Sequence, residues 1–481
     1  MQYHSTRGLS PEVDSAQAVL NGLAPDGGLY LPCALPAFCW EQCIQKDAMG
    51  MAEMILTAFL PDIPDMGTLV KKAYTGKFET EGLTPTVSAG DFHILELFRG
   101  PTSAFKDVAL SMLPQLMTAA KTTKNDTKDI LILTATSGDT GKAALEGFKD
   151  VEGIRICVFY PHGGVSDVQR RQMVSQEGSN VAVCAVRGNF DDAQTGVKNI
   201  FTAARGQNLP LHLSSANSIN IGRLVPQITY YFKAYRDLLD AGKIKLGNEV
   251  NFSVPTGNFG DILAGYLAKE LGLPVGKLIC ASNANNVLTD FIRTGMYDRR
   301  RCLHKTDSPS MDILVSSNLE RLLYLMSGDS ALIARLMNEL NTQGYYQVPE
   351  ALLTEIQKHF WAGWCDDAKG AETIHKVWNK NGYLCDTHTA SGWAVAEDYV
   401  GITGDQRPMV VLSTASPYKF PAAVLRAIGQ SARGDEFDQL EQLHSVTGVA
   451  IPKNLSALRT KPELHNSVID KDKMLDFVLA L

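Results

Sequence analysis

Ile130-Leu131-Ile132-Leu133-Thr134, followed by Ser137-Gly138-Asp139-Thr140-Gly141 and then by helical spacing over residues 142–148, decides the fold class of this chain. A short unbroken apolar run rich in β-formers reads as a strand buried on both faces. The glycine-bearing turn and the helix after it make a strand–turn–helix unit. Residues 154–160 (IRICVFY) repeat the run and end in Pro161-His162-Gly163-Gly164, and residues 181–186 give a third. A second block repeats the alternation. Residues 250–254 lead into Pro255-Thr256-Gly257-Asn258-Phe259-Gly260 and a helix to about Leu271, residues 278–281 and 409–412 read as buried strands, and residues 319–360 read as helices. Strands alternating with helices imply parallel sheets covered on both faces, so the expected class is α/β.

Working outward, residues 1–90 hold the turn cluster Ala24-Pro25-Asp26-Gly27-Gly28 and apolar positions at helical spacing over residues 51–60. They are expected to form a mainly helical N-terminal domain. Residues 91–225 are expected to form a smaller α/β domain, and residues 226–481 a large α/β domain with helical insertions. Two or three domains suit a length of 481 residues, since one core usually serves about 100–200.

Composition excludes several function classes. Hydrophobic residues make up 45% and charged residues 20%, with a net charge of −7, so the chain is neither disordered nor fibrous. Arg299-Arg300-Arg301 is the one basic triplet and reads as a solvated loop, so no nucleic-acid partner is expected. The nine cysteines contain no CxxC pair, which points away from a disulfide framework or a metal site and toward a reducing compartment. The start of the chain lacks a signal-peptide pattern, and no apolar run reaches the roughly 18 residues of a membrane span. The expectation is a cytoplasmic protein with no membrane partner. Whether it is a monomer or a homodimer stays open.

Three loops at predicted strand ends carry chemistry. In Gly257-Asn258-Phe259-Gly260-Asp261, glycines admit close approach of a ligand, and the following helix offers free N–H groups and a positive dipole end to an anion such as phosphate. A plain strand–helix turn is the competing reading. Ser137-Gly138-Asp139-Thr140-Gly141 repeats the arrangement with added hydroxyls, fit for a carboxylate or phosphate. It is not a nucleotide P-loop, because Ala143 replaces the required Ser/Thr after Lys142 and Thr136 stands where the first glycine belongs. Ser413-Thr414-Ala415-Ser416-Pro417 places hydroxyls at a third strand end. Lys106 sits among Phe105, Val108 and Leu110. It reads either as a snorkelling surface lysine or as an amine whose pKa burial lowers until it attacks an aldehyde. Beside a phosphate loop, the second reading points to pyridoxal phosphate.

Taken in order, these segments resemble the threonine synthases, specifically the longer form of many bacteria and fungi. The resemblance rests on Ser5-Thr6-Arg7-Gly8, on Gly22 through Tyr30, on Gly100-Pro101-Thr102 with Ala104-Phe105-Lys106-Asp107, and on Thr136 through Gly141. It continues through Asn217-Ser218-Ile219-Asn220, Gly257-Asn258-Phe259-Gly260 and Ser308-Pro309-Ser310-Met311-Asp312. It implies the fold-type II architecture of pyridoxal-phosphate enzymes, related to the tryptophan synthase β subunit. It also implies Lys106 as the Schiff-base lysine, with Gly257, Asn258, Phe259, Gly260 and Asp261 around the cofactor phosphate. Thr414 would face the pyridine nitrogen. Ser137, Gly138, Asp139 and Thr140 would take the substrate carboxylate, with Asp139 near the cofactor's ring oxygen.

The implied reaction converts O-phospho-L-homoserine and water to L-threonine and phosphate by γ-elimination and β-addition. Candidates for the substrate phosphate are Ser215, Asn217, Ser218, Asn220 and Arg223, with Lys142 ranked lower. Arg223 would supply a bidentate clamp. The alternative on the same scaffold is a phospho-lyase releasing 2-oxobutyrate, ammonia and phosphate. His388, in Asp386-Thr387-His388-Thr389-Ala390, is expected to act structurally or as a gate. Arg99, Asn286 and Lys419 depart from the family pattern; none is expected to touch Lys106 or the glycine loop, and their expected bearing is on substrate preference.

Overall fold

The computed structural model describes residues 1–136, 138–204 and 211–481. Among these residues a five-stranded, all-parallel sheet runs in the order Ser467–Asp470, Val181–Arg187, Ile154–Pro161, Asp129–Ala135, Leu211–Ser214. The Asp129–Ala135 strand is buried along its middle five positions. That explains a continuous apolar run in place of alternation, since helices cover both faces. A six-stranded sheet runs in the order Phe360–Trp364, Val275–Ser282, Val250–Pro255, Met409–Ser413, Phe92–Glu96, Thr86–Ala89. Its pairs are parallel except the last, where Thr86–Ala89 turns back antiparallel on Phe92–Glu96.

Sheet membership differs from the sequence boundaries in three places, the first being the strand Thr86–Ala89, read with the N-terminal domain but forming the edge of the larger sheet. The strand Phe92–Glu96, read with the smaller domain, pairs with Met409–Ser413 in the larger sheet. The strand Ser467–Asp470, near the far end of the chain, joins the edge of the smaller sheet beside Val181–Arg187. It is short and largely exposed, so it carries no apolar signature. The N-terminal region holds the expected helices, Ser15–Asn21, Trp40–Cys43, Ala48–Phe59 and Met66–Tyr74. It also contains an antiparallel sheet of Val13–Asp14, Gln2–Ser5 and Tyr30–Pro32, strands too short to show a period. Residues 319–360 contain the helices Leu319–Ser327, Ser330–Thr342 and Glu350–His359, interrupted by the strand Tyr345–Gln347, which pairs with Met296–Asp298. No helix among the described residues is long and apolar enough to cross a membrane.

The helix Lys106–Thr123 links the strand Phe92–Glu96 of the larger sheet to Asp129–Ala135 of the smaller one along the chain. The helix Asp139–Phe148 rides directly on it: a Cβ on Gly147 would strike the carbonyl oxygen of Leu110. The helix bearing Lys106 and the helix beginning at Asp139 therefore pack at backbone contact. Every loop singled out by sequence follows the carboxyl end of a parallel strand, which is where ligands bind in open α/β sheets.

Candidate active site

Lys106 is the first residue of its helix, and the turn before it is held from several sides. Thr102 donates to the Asp107 carboxylate through its backbone N–H (2.8 Å) and its hydroxyl (2.5 Å). Ser103 takes a left-handed φ of 59°, costly for a residue with a Cβ. Asn454 offsets that cost by hydrogen bonds to Pro101 O (2.7 Å) and the Ser103 hydroxyl (3.0 Å). The strand Met409–Ser413 continues into this turn: Phe105 N–H donates to Thr414 O (2.8 Å), and Ser416 N–H donates to Ser103 O (3.1 Å). Lys106 Nζ lies over the Phe105 ring, 4.6 Å from its centroid. Burial brings its pKa down to about 8, with Asp139 opposing and Lys419 and Arg223 assisting. The positive end of its own helix works in the same direction.

The glycine loop is braced by main-chain contacts. A Cβ on Gly257 would come within 2.7 Å of Ser310 O, so the chain at Ser310 crosses the loop at backbone distance. Ser316 donates its hydroxyl to Gly257 O (2.7 Å). Asn318 donates to Asn258 O from its backbone N–H (3.0 Å) and its amide (3.1 Å). Phe259 accepts a left-handed φ of 64° and buries its ring against Phe360, centroids 5.7 Å apart. Gly260 then opens the helix Gly260–Glu270 with its N–H groups directed at the loop. Asp261 was expected near the phosphate. Its carboxylate instead accepts from Tyr230 (2.5 Å) and Tyr231 (3.1 Å), while Oδ2 is buried without a partner. Burial pushes its pKa up to about 6 against the two tyrosine donors.

The second loop is built from side chains. Thr136 Oγ1 accepts from Gly138 N–H (3.0 Å) and Gly141 N–H (2.9 Å), and Gly138 adopts φ 143° with Gln169 packed against it. Ser137 lies outside the described residues. Asp139 is buried and faces four groups. Lys419 Nζ stands 2.5 Å from Oδ1, Gln169 donates to Oδ1 (3.1 Å), Ser310 donates to Oδ2 (3.4 Å), and Lys106 Nζ stands 4.0 Å from Oδ2. Thr140 is half-buried beside it. His388 has both ring nitrogens engaged, Nδ1 with Asp386 (2.7 Å) and Nε2 accepting Ser310 N–H (3.2 Å).

The third loop follows the strand Leu211–Ser214 and leads into the helix Ile221–Asp240. Ser218 Cβ lies 3.7 Å from where a Gly260 Cβ would stand, so this loop adjoins the glycine loop. Arg223 is buried, donates Nη1 to Ala216 O (2.6 Å) and leaves Nε without a partner. Asn220 was expected among the phosphate ligands, but its amide is spent elsewhere. Oδ1 caps the helix at Gly222 N–H (2.8 Å), and Nδ2 donates to Val19 O (2.9 Å). Ser215 Oγ accepts Asn217 N–H (3.3 Å). The Asn217 amide and the Ser218, Thr140 and Thr414 hydroxyls bond no described residue.

Two other residues singled out by sequence are turned to structural use. Arg99 is clasped by Glu96 (2.7 Å) and Glu79 (3.0 Å), and Lys142 pairs with Glu146 (3.0 Å) and Gln176. Among the described residues, no group of three or more His, Cys, Asp or Glu is placed to hold a metal ion. Sequence reasoning missed the linking role of Ser310 and the pairing of Lys419 with Asp139. The Tyr230-Tyr231 pair was also passed over.

A water-starved amine, a braced N–H cradle and a buried guanidinium with its Nε unpartnered fit an aldehyde that carries a phosphate, and leave room for a second anion.

A solved structure of PLP-bound threonine synthase from Brucella melitensis superposes with a TM-score of 0.87 at 40% identity, covering 99% of this chain and 98% of that one. The fold is therefore the fold-type II architecture of pyridoxal-phosphate enzymes. The family models "Threonine synthase N terminus" and "Threonine synthase, C-terminal" match residues 2–74 and 389–473. Threonine synthase of Pseudomonas aeruginosa is 40% identical over 443 residues, covering 90% of this chain and 91% of its own. Threonine synthase-like 1 of Homo sapiens is 37% identical over 479 residues, and this chain spans 62% of its length. The chain belongs to the threonine synthase family.

Proposed function

We propose that the protein is a pyridoxal-phosphate-dependent lyase that converts O-phospho-L-homoserine and water to L-threonine and phosphate. The observation that carries this reading is the Lys106 amine, held at a pKa of about 8 by burial within a site furnished for two anions. When bound, the cofactor supplies an electron sink for the pair left at Cα as its proton departs.

The chain's own residues do the rest. Lys106 would hold the cofactor at its aldehyde group, and its buried Nζ is the group placed to move protons to and from the reacting carbons as base and acid. Gly257, Asn258, Phe259 and Gly260 hold the cofactor phosphate on backbone N–H groups. Asp261 acts through Tyr230 and Tyr231 to fix the start of that helix. Thr414 would offer its hydroxyl to the cofactor's ring nitrogen, a neutral partner that brings no charge to the ring. Gly138, Asp139 and Thr140, with Ser137, receive the substrate carboxylate. Arg223 with Ser215, Asn217 and Ser218 receives the substrate phosphate, and Asn220 holds that loop as a helix cap. The smaller sheet, which carries Asp139, closes on the larger when substrate arrives and excludes water. Nine free thiols fit a cytoplasmic enzyme.

The test is product analysis with O-phospho-L-homoserine and the cofactor-loaded protein. Phosphate and threonine in equal amounts are expected. Phosphate with 2-oxobutyrate would instead make the protein a phospho-lyase, and no phosphate release would remove the substrate assignment.

A further inference from the structure

We propose that Lys419 is a positioning residue for Lys106: it occupies one oxygen of Asp139 so that this carboxylate does not capture the Lys106 amine. The proposal rests on the reading of Lys106 given above.

Lys419 ends the short helix Pro417–Lys419, which follows the Met409–Ser413 strand of the larger sheet. Its ammonium is sealed from water, with a side-chain exposure of 0%. A buried ammonium is costly unless it is paired. Here its partners are Asp139 Oδ1 at 2.5 Å and Thr102 O at 3.2 Å. Both bear on Lys106. Thr102 belongs to the turn that delivers Lys106 into its helix, and Asp139 is the anion nearest its amine.

The carboxylate is divided. Oδ1 serves Lys419 and Gln169, while Oδ2 faces Ser310 at 3.4 Å and Lys106 at 4.0 Å. At that distance Lys106 feels the charge without closing into a short hydrogen bond, so the carboxylate favours its ammonium form less than a closed ion pair would. Burial alone would raise the Asp139 carboxyl. Lys419, Lys106 and His388 together more than reverse this, Lys419 foremost among them, and the group is held well below the usual carboxylate range.

The other charged groups around the amine leave this balance to Lys419. Arg223, from the helix Ile221–Asp240, is a second cation that disfavours the ammonium form of Lys106. Asp107, on Lys106's own helix, is consumed by Thr102, and Asp261, from the glycine-loop helix, is held by two tyrosines. His388 is engaged with Asp386 and Ser310. Without Lys419, the nearest cation left to Asp139 is Lys106. The two would close into an ion pair, which favours the protonated, unreactive amine.

The experiment measures the pH midpoint of Lys106 reactivity in the full chain. Reductive methylation by formaldehyde, resolved residue by residue by mass spectrometry, reads the amine without the cofactor. Absorbance on adding pyridoxal phosphate, followed by borohydride reduction and mapping of the adduct, reads it with the cofactor. Wild type is expected to turn over near pH 8. In K419M the midpoint should rise by about one unit or more, in K419R it should stay, and in D139N it should fall. A purely structural ion pair predicts no such opposition between its two halves. An unmoved midpoint in K419M overturns the proposal. Should K419M fail to fold, an unmoved or raised midpoint in D139N overturns it equally. If the reduced cofactor maps to another lysine, the reading of Lys106 as the cofactor lysine fails. The methylation midpoints still decide the role of Lys419.

Discussion

The loops at residues 257–261 and 136–140 start from one local recipe, a buried parallel strand, a glycine turn and a helix N-terminus, yet they are built in different ways. The first is clamped by backbone: Ser310 crosses it, Ser316 and Asn318 tie its carbonyls, and Phe259 anchors it in the core. The second hangs on side chains, the Thr136 hydroxyl and the Gln169 amide, and on an ion pair reaching to Lys419, in the short helix that follows the larger sheet's strand Met409–Ser413. A cradle fixed by main chain suits a guest held through many turnovers. One completed by such side-chain contacts suits a guest that comes and goes. Lys106 stands between them, on a helix that packs against the second while its turn is stitched to the strand leading to Thr414.

Removing that hinge point should have the largest effect. K106A is expected to lose turnover by on the order of 10²–10⁴-fold, the range of a lost proton-transfer group, and to lose the imine absorbance while retaining its fold by circular dichroism. A variant that kept both absorbance and turnover would break the comparison at its centre.

Next come the two glycines, which should fail differently. G257A sets a Cβ within 2.7 Å of Ser310 O, and overpacking against backbone costs about 1–3 kcal/mol. Cofactor Kd should rise roughly tenfold to a hundredfold, measured by fluorescence titration. In G138A a residue with a Cβ must hold φ 143° against Gln169, a strain of about 1–3 kcal/mol. There the substrate KM should rise while cofactor Kd holds. If both variants lost cofactor alike, the division between fixed and assembled cradle would be wrong.

R223M sharpens the assignment of the second anion. A charge-assisted hydrogen bond is worth about 1.5–3 kcal/mol, so KM for O-phospho-L-homoserine should rise roughly tenfold or more. Inhibition by inorganic phosphate should weaken in step. An unchanged phosphate inhibition constant would show that the orphaned Nε of Arg223 faces no anion.

Much of this was legible before any coordinates. Residues 130–134 announce a doubly covered strand because nothing in them alternates, and the glycines after them and after residue 255 mark where the chain can approach a ligand. What stayed hidden is non-local. No periodicity in Phe92–Glu96 tells which sheet it joins, and nothing near Lys419 names Asp139 as its partner. Some misreadings carried a signal that was passed over. Tyr230-Tyr231 offered two hydroxyls on the helix that also presents Arg223, enough to occupy a buried acid such as Asp261. Asn220 precedes an apolar run, the position of a helix cap, and polar character alone made it resemble a ligand.

The smallest effect separates a cap from a ligand. Asn220 is wholly buried, with Oδ1 on Gly222 N–H and Nδ2 on Val19 O. Deleting a helix cap costs about 1 kcal/mol, and N220A also strands the buried Val19 carbonyl, which adds to that. N220A should therefore lower the midpoint of chemical denaturation while leaving substrate KM within about twofold of wild type, less than the roughly tenfold of a lost phosphate contact. A KM that rose as far as that of R223M, with stability unmoved, would return Asn220 to the ligand set. It would also make the third loop a cradle assembled from side chains, like the second, and not a scaffold held by its cap.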